Sequence, residues 1–166
     1  MKKNKKIKKN KFFKPNYFVI PVITILVSLI GGYFTDLGMD WYKMLATPAW
    51  TPPGAVIGIV WTIIYILTTI SALIAWNGFK RDKVFQWIIA LFVINAVLNA
   101  FWSFLWFTSQ LMWAAIIEMI ILEATVVALM VLIWPRSRWA SILLWPYAVW
   151  VIFATFLATT VWRMNI

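Results

Sequence analysis

Residues 139–162 read WASILLWPYAVWVIFATFLATTVW, a stretch of 24 positions without one charged side chain. About 20 predominantly apolar residues are enough for an α-helix to cross the hydrocarbon core of a bilayer. The whole chain of 166 residues has the same character, with 64% hydrophobic and only 12% charged residues. A water-soluble fold of this size has no means of burying so much apolar surface. The sequence therefore predicts an integral membrane protein.

Uncharged segments between charged or proline-rich stretches define the remaining spans. We predict an all-α bundle of five transmembrane helices, at about 17–35, 53–76, 84–107, 111–134 and 139–162. Residues 36–52 are predicted to form an interfacial loop, because prolines crowd the segment that ends at Pro53 and cannot continue a buried helix. The chain then divides into a basic tail, residues 1–16, and a five-helix transmembrane domain, residues 17–166.

The distribution of positive charge predicts the orientation. Eight lysines lie within the first fourteen residues, and the segments 77–83 and 135–138 carry five more Lys and Arg. The opposite side has only Lys43 and Arg163. The positive-inside rule then predicts a multi-pass protein of the cell membrane, with its N-terminus in the cytoplasm and its C-terminus outside. The tail is expected to contact anionic lipid rather than nucleic acid, since no nucleic-acid-binding fold follows it.

Missing residue types exclude several kinds of chemistry. The chain has no His and no Cys, which rules out His/Cys zinc sites, thiolate nucleophiles and a Ser-His-Asp triad. Only five acidic residues are present, against 13 Trp, 12 Phe and 5 Tyr. We therefore expect no metal site and no bound cofactor, and a function that depends on indole faces, amides and a few hydroxyl groups.

Aromatic and amide side chains form stripes on three of the predicted helices. The members of each stripe recur at helical spacing, and they are Trp61, Tyr65 and Thr68 in the second helix, Asn95, Asn99, Trp102 and Trp106 in the third, and Pro146, Trp150, Phe153 and Ala154 in the fifth. Facing inward, these stripes would enclose an aromatic pocket suited to a flat, apolar ligand. The alternative is helix packing with amide hydrogen bonds between helices.

Two glutamates lie within the predicted fourth helix. Glu118 and Glu123 are five residues apart, about 140° around the helix axis, so they cannot form a paired-carboxylate site. An isolated acid inside a membrane is a candidate for proton coupling. The alternative function is therefore a proton-coupled exporter of lipophilic cations that uses Glu118 or Glu123. A sensor or scaffold whose ligand regulates a partner protein also agrees with the sequence.

Several motifs together resemble the translocator protein family, also called tryptophan-rich sensory proteins. The matching segments cover the chain from about Gly31 to its end, and they are Trp41-Tyr42-x-x-Leu45-x-x-Pro48-x-Trp50-x-Pro52-Pro53-Gly54, Val60-Trp61 with Tyr65, Leu98-Asn99-x-x-Trp102-Ser103, Pro146-Tyr147-x-x-Trp150-x-x-Phe153-Ala154-x-x-Leu157 and Val161-Trp162-Arg163-x-Asn165. The resemblance implies a five-helix bundle, often a homodimer, that binds porphyrins, sterols and benzodiazepine-type molecules.

The resemblance also implies roles for individual residues. Trp61 and Trp150 match indoles implicated in light- and oxygen-dependent breakdown of porphyrins. We expect no enzymatic activity beyond this reaction. The ligand-binding set, taken from this match and from the stripes, is Tyr42, Trp50, Pro52, Trp61, Tyr65, Asn99, Trp102, Trp150, Phe153 and Ala154. Within this set, Tyr42, Trp50 and Pro52 correspond to a lid over the pocket. The expected function is porphyrin binding, with transport, sensing or degradation of the ligand.

One segment and one further residue depart from the family pattern. Animal members have an Asn-Tyr-Tyr run in their sterol-recognition segment, where this chain has Ala158-Thr159-Thr160 and no tyrosine. Because such motifs are weak even when they are complete, we do not expect sterol binding here. Glu118 stands where the family usually has Asp.

Overall fold

The computed structural model describes residues 15–166, and within this range the chain is helical, with short connections and no strand. Its elements in chain order are α1 (Asn16–Tyr42), α2 (Gly54–Gly78), α3 (Lys83–Ser103), a π-helical segment (Phe104–Thr108), α4 (Met112–Ile133), α5 (Arg138–Ile142) and α6 (Trp145–Met164). Five stretches are long and apolar enough to cross a membrane, with α3 and the π-helical segment forming one and α5 and α6 another. The prediction of an all-α, five-span membrane bundle is confirmed. Most of the predicted basic tail lies outside the described residues.

The spans alternate in direction between two ends of the bundle. We call the end that carries the α1–α2 connection, residues 43–53, the loop end, and the end that carries Lys80–Lys83 and Arg136–Arg138 the basic end. Neighbouring contacts close a ring in the order α1, α2, α5 with α6, α4 and α3, and α3 packs back on α1. The side chains that point into this ring form the core.

The first helix is longer than the sequence predicted. We placed its end at residue 35, but α1 continues to Tyr42, so that Asp36 and Asp40 belong to the helix rather than to the loop. Both carboxylates are exposed, and Asp40 lies 3.2 Å from the ammonium group of Lys43. Asp36 and Asp40 thus mark where the apolar surface of α1 ends, whereas its helical backbone continues to Tyr42. The proline-rich connection shrinks to residues 43–53.

The last span is interrupted, although the sequence predicted one helix over 139–162. The backbone forms a turn at Leu143–Leu144, between α5 and α6. Pro146 explains the break, because proline has no N–H to donate to the carbonyl of Ile142 and its ring crowds that carbonyl. At the first turn of α6 the missing donor costs nothing, since helix-starting N–H groups lack intrahelical partners.

The third span ends in a π-helical turn rather than in the regular helix we predicted to residue 107. The N–H of Ser109 donates to the carbonyl of Phe104 at 2.8 Å, which is the i to i−5 bond of a π-helix. The wider turn buries three consecutive side chains, Leu105, Trp106 and Phe107. Its backbone lies directly against α1, where a Cβ atom built on Gly38 would come within 2.0 Å of the Phe107 carbonyl oxygen.

An ion pair fastens two connections at the basic end. Asp82 caps α3 by accepting a hydrogen bond from the N–H of Phe85 at 2.9 Å. One guanidinium nitrogen, Nη2 of Arg136, donates to both oxygens of the same carboxylate, at 2.9 and 2.8 Å. This charge-assisted contact joins the α2–α3 connection to the segment that follows α4. The hydrogen bond from Arg136 is the largest of the effects that lower the pKa of Asp82 below its ordinary value.

We expect this ion pair to make stability depend on pH. A carboxyl group with a lowered pKa in the folded state stabilises the protein above its ordinary pKa, about 3.9, and that contribution is lost as the pH falls through the lowered value. Asp82→Asn keeps the helix cap but removes the charge. Thermal unfolding in detergent should therefore show the variant below the parent at pH 7 and the difference shrinking below about pH 4. An equal difference at both pH values would rule out this role.

Candidate functional site

A cavity of about 980 Å³ lies among α1, α2, α3 and α6 and extends beneath the α1–α2 connection. This volume is at the upper end of the range for small-molecule sites, about 300–1,000 Å³. Aromatic and aliphatic side chains dominate the walls, with a small number of polar groups among them. Such a composition is typical of sites that bury a large, mainly apolar ligand.

The cavity brings together most of the residues that the sequence singled out. Those that line it are Tyr42, Trp61, Tyr65, Asn99, Trp102, Trp150, Phe153 and Ala154. Trp50 and Pro52, which we assigned to a lid, are not among the lining residues. Trp50 instead stacks on Phe156, with ring centroids 5.5 Å apart, and meets Phe153 edge to face at a centroid distance of 6.0 Å. It therefore supports the wall from outside, 44% exposed.

Each of the two predicted indoles is held by neighbouring rings. Trp61 on α2 meets the edge of Tyr147 at a centroid distance of 6.0 Å and lies 5.7 Å from Tyr65. Trp150 on α6 lies 5.2 Å from Phe153. Aromatic pairs at these distances and tilts attract each other beyond their area burial. The contacts fix both indoles at the cavity surface.

Two buried indole N–H groups in the cavity wall have no hydrogen-bond partner. They belong to Trp102 on α3 and Trp150 on α6, and both nitrogens are inaccessible to solvent. A buried donor without an acceptor costs about 1–3 kcal/mol, so native structures contain few of them. Both rings line the cavity, but their nitrogens lie buried in its wall rather than on its surface.

A chain of hydrogen bonds runs behind the cavity and links four helices. The hydroxyl of Tyr65 donates to the Asn99 side-chain carbonyl, and the Asn99 amide donates to the hydroxyl of Tyr147 at 2.9 Å. Tyr147 donates to Asn95 at 3.0 Å, and Asn95 donates to Thr125 at 2.8 Å. The hydroxyl of that threonine ends the chain on a backbone carbonyl of α4. Both ends of the Asn99 amide are therefore occupied within the protein, although Asn99 also lines the cavity.

Tyr147 is the residue on which this chain depends most, because it accepts from Asn99 and donates to Asn95. Replacing it by phenylalanine leaves a buried N–H and a buried carbonyl unpaired, which should cost about 2 kcal/mol of stability. Thermal unfolding in detergent measures the loss. Tyr33→Phe is the matched control, because Tyr33 is exposed on α1 and should change stability little. Equal melting temperatures for the two variants would contradict the role of the chain.

Three residues of the site were missed in the sequence analysis. Tyr147 precedes Trp150 and Ala154 by three and seven positions, and this helical spacing was a signal that it shares their face. Tyr147 lies behind the cavity wall, whereas Phe107 lines the cavity, and the position of Phe107 depends on the π-helical turn, for which the sequence has no clear signal. Gly38 contacts the backbone of that turn, which no local pattern reveals.

The two glutamates of α4 are not among the residues that line the cavity. Glu118 is only 5% exposed, and neither of its carboxyl oxygens has a hydrogen-bond partner. Glu123 is partly buried, with one oxygen unpartnered. A carrier mechanism requires a carboxylate next to the bound cation, and neither glutamate offers one at the cavity surface, where the lining carboxylate is that of Asp36.

Comparison with known proteins identifies relatives over most of the chain. A family model described as the TspO/MBR family matches residues 19–163. The membrane protein YtaB of Bacillus subtilis is 39% identical over 147 residues, which cover 87% of this chain and 93% of that protein. The tryptophan-rich protein TspO of Bacillus cereus is 30% identical, over 93% of this chain and 99% of its own. The human translocator protein is 30% identical, with 84% of each chain covered.

These matches confirm the family resemblance that the sequence motifs indicated. The family model includes all five membrane spans apart from the first residues of α1 and the last residue of α6. It also includes every residue that lines the cavity. The protein therefore belongs to the TspO/MBR family.

Proposed function

We propose that this membrane protein binds porphyrins, and other flat lipophilic molecules such as benzodiazepine-type ligands, in the cavity. The observation that carries the proposal is the pair of indoles, Trp61 and Trp150, on the walls of a space of about 980 Å³. A flat conjugated ring gains most from such a site, because its faces lie against aromatic side chains and leave water. Family membership supports the same ligand class.

Polar groups in the cavity favour a ligand with acceptor atoms. The unpartnered N–H groups of Trp102 and Trp150 lie in the cavity wall, and a carbonyl or carboxylate oxygen of the ligand would satisfy either one once its ring turns toward the cavity. Lys43, whose ammonium group lies 3.2 Å from Asp40, and Asp36 both line the cavity, so its charged side chains are of both signs. A porphyrin combines a large apolar ring with acceptor oxygens, in the carboxylate side chains at one edge.

A secondary, light-dependent activity agrees with the same arrangement. A porphyrin bound against Trp61 and Trp150 would absorb light within contact of two easily oxidised indoles. Dioxygen is then the oxidant, and the breakdown of the porphyrin needs neither a metal nor a general base from the protein. This activity follows from where the ligand binds, and it accompanies whatever transport or sensing the protein performs.

Quenching of tryptophan fluorescence tests the binding site. Protoporphyrin should quench the purified protein saturably with low-micromolar affinity, about −8 kcal/mol. Ala154→Phe places a ring in the cavity and should weaken binding at least about tenfold, or 1.4 kcal/mol. Ala124→Phe is the matched control, because Ala124 is exposed on α4, outside the cavity lining, and should leave the affinity unchanged. Equal affinities for both variants would mean that the porphyrin binds elsewhere.

We also propose the orientation and the assembly implied by the sequence. Support for a cytoplasmic N-terminus comes from Lys80, Arg81, Lys83, Arg136 and Arg138, which lie at the same end of the bundle as residue 15. A homodimer is supported by the family. Cysteines introduced singly at either terminus and labelled in intact cells test the orientation, and a labelled N-terminus would overturn it. Light scattering in detergent tests the dimer, and a monomeric mass would overturn that proposal.

A further inference from the structure

The cavity is partly open along one side of the bundle. Several residues line it and are also exposed on the facing edges of two helices, namely Ile25 and Gly32 on α1 and Gly58, Thr62, Ile66 and Ile70 on α2. On α2 these positions recur every fourth residue, so they form one stripe along the helix. We call the gap between the two edges the slot.

Packing at both ends of α1 explains why the slot exists. Near the basic end, the hydroxyl groups of Thr24 and Thr69 are 2.8 Å apart, which joins α1 to α2. Toward the loop end, α1 packs on the third span instead, through Gly31 next to Ser103 and Gly38 against the backbone of Phe107. The first helix therefore follows α3 and leaves α2 along this half of its length.

The middle of the slot lies at the depth of the hydrocarbon core. Gly32 precedes Tyr42, the end of α1, by ten residues, or about 15 Å along the axis, and Thr62 follows Gly54 by about 12 Å. Both positions lie near half of the roughly 30 Å hydrocarbon thickness. Ile25 and Ile66, which flank the slot closer to the basic end, are 56% and 54% exposed, as expected for side chains that face lipid.

We propose that the slot is the route by which the ligand enters the cavity, laterally from the bilayer rather than from water. This inference rests on the proposed function and names its ligand class further, as molecules already partitioned into the membrane. The route has free space at Gly32 and Gly58, because a Cβ atom at either would meet nothing within 4 Å. A long, narrow gap also suits a flat ring that moves edge-on between two helices.

The competing route is a mouth at the loop end. Lys43, Thr47 and Gly54 line the cavity there and are exposed where the bundle meets water. A ligand that arrives from solution would pass these residues and would never contact the middle of the slot. The two routes can therefore be blocked separately, by bulky side chains at different depths.

Association kinetics in lipid vesicles distinguish the routes. The protein is reconstituted, vesicles preloaded with protoporphyrin are added, and tryptophan quenching is followed in time. The double variant Gly32→Leu/Thr62→Leu narrows the slot and should slow association and dissociation at least about tenfold, equivalent to 1.36 kcal/mol in the barrier. Because both positions also line the cavity, the two rates are read separately: a blocked route slows association and dissociation together, whereas lost cavity volume would speed dissociation. Thr47→Leu, which narrows the loop-end mouth instead, should leave the rates at the parental value.

The opposite pattern would overturn the proposal: slow binding in Thr47→Leu and parental rates in the double variant mean entry from water. Absence of saturable quenching in the parental protein would instead refute the proposed function itself, so the two failures are distinguishable. If the double variant does not fold, Gly32→Cys in this cysteine-free chain allows the same test. A benzyl methanethiosulfonate attached there should slow association, and a reducing agent should restore it; unchanged rates would count against lateral entry.

Discussion

Gly38→Ala is expected to destabilise the protein by about 3 kcal/mol or more, because the added methyl group overlaps the backbone of the π-helical segment. Its Cβ would lie 2.0 Å from the carbonyl oxygen and 2.5 Å from the carbonyl carbon of Phe107. A backbone cannot rotate away as a side chain can, so α1 has to separate from the third span. The melting temperature in detergent should fall by about 10 °C.

Gly32→Ala is the matched control for this substitution. Gly32 lies in the same helix, but a Cβ there meets nothing within 4 Å. Alanine is the better helix former by about 1 kcal/mol, so this variant should melt at or slightly above the parental temperature. Similar melting temperatures for the two variants would show that the close contact between Gly38 and Phe107 does not hold the helices together.

Trp61→Phe combined with Trp150→Phe is expected to abolish light-driven porphyrin breakdown while the bundle stays folded. Phenylalanine keeps an aromatic face in the cavity wall, so the affinity for porphyrin should fall less than the rate of its light-driven breakdown. What is lost is the oxidisable indole in contact with the ring. The decay of porphyrin absorbance under illumination measures the activity, and quenching of the remaining tryptophans measures binding.

The control for the double variant removes two indoles that do not line the cavity. Trp87 and Trp139 are 66% and 76% exposed on the outer surface of the bundle. Trp87→Phe with Trp139→Phe should leave the breakdown rate at the parental value. Parental breakdown in the cavity variant, or loss of activity in the control, would show that the reaction takes place outside the cavity.

The sequence predicted the spans well because a membrane imposes a strong local rule. Twenty or more consecutive uncharged residues have few alternatives to a transmembrane helix, which identified four of the spans, and the fourth span is equally long and apolar although it carries Glu118 and Glu123. The ends of the helices were harder to predict from the sequence. Asp36 and Asp40 suggested a loop where the helix continues, because a charge signals contact with water and says nothing about backbone hydrogen bonds. Pro146, in contrast, carried a correct signal that we did not use, since it breaks the last span.

Helical spacing predicted which residues form the walls of the cavity, but it did not predict how the helices pack around it. Spacing alone places Trp61 and Tyr65, or Trp150 and Ala154, on one face of their helices. How far each helix is rotated and tilted depends on contacts distant in sequence, such as Gly38 against the turn at Phe107. Trp50 shows the limit of motif transfer, because it belongs to the matching loop yet packs behind the wall.

The polar groups of the bundle have two different roles. Asn95 and Asn99 are consumed by hydrogen bonds between helices, which is what amides inside a membrane usually do. The indoles of Trp102 and Trp150 line the cavity and keep an unpartnered donor buried in its wall. Packing and ligand binding were alternatives for these stripes in the sequence, and the structure assigns the hydrogen-bonded amides to packing. The unpaired donors are the groups that we assign to the ligand.

Mapping of oxidised tryptophans tests most directly whether the cavity holds the porphyrin. The protein is illuminated with protoporphyrin in the presence of dioxygen, and the modified residues are identified by mass spectrometry. Oxidation should concentrate on Trp61 and Trp150, whose indoles lie on the cavity walls. Modification mainly at Trp87, Trp113 and Trp139, which face outward, would place the porphyrin on the lipid-exposed surface and contradict a binding site inside the bundle.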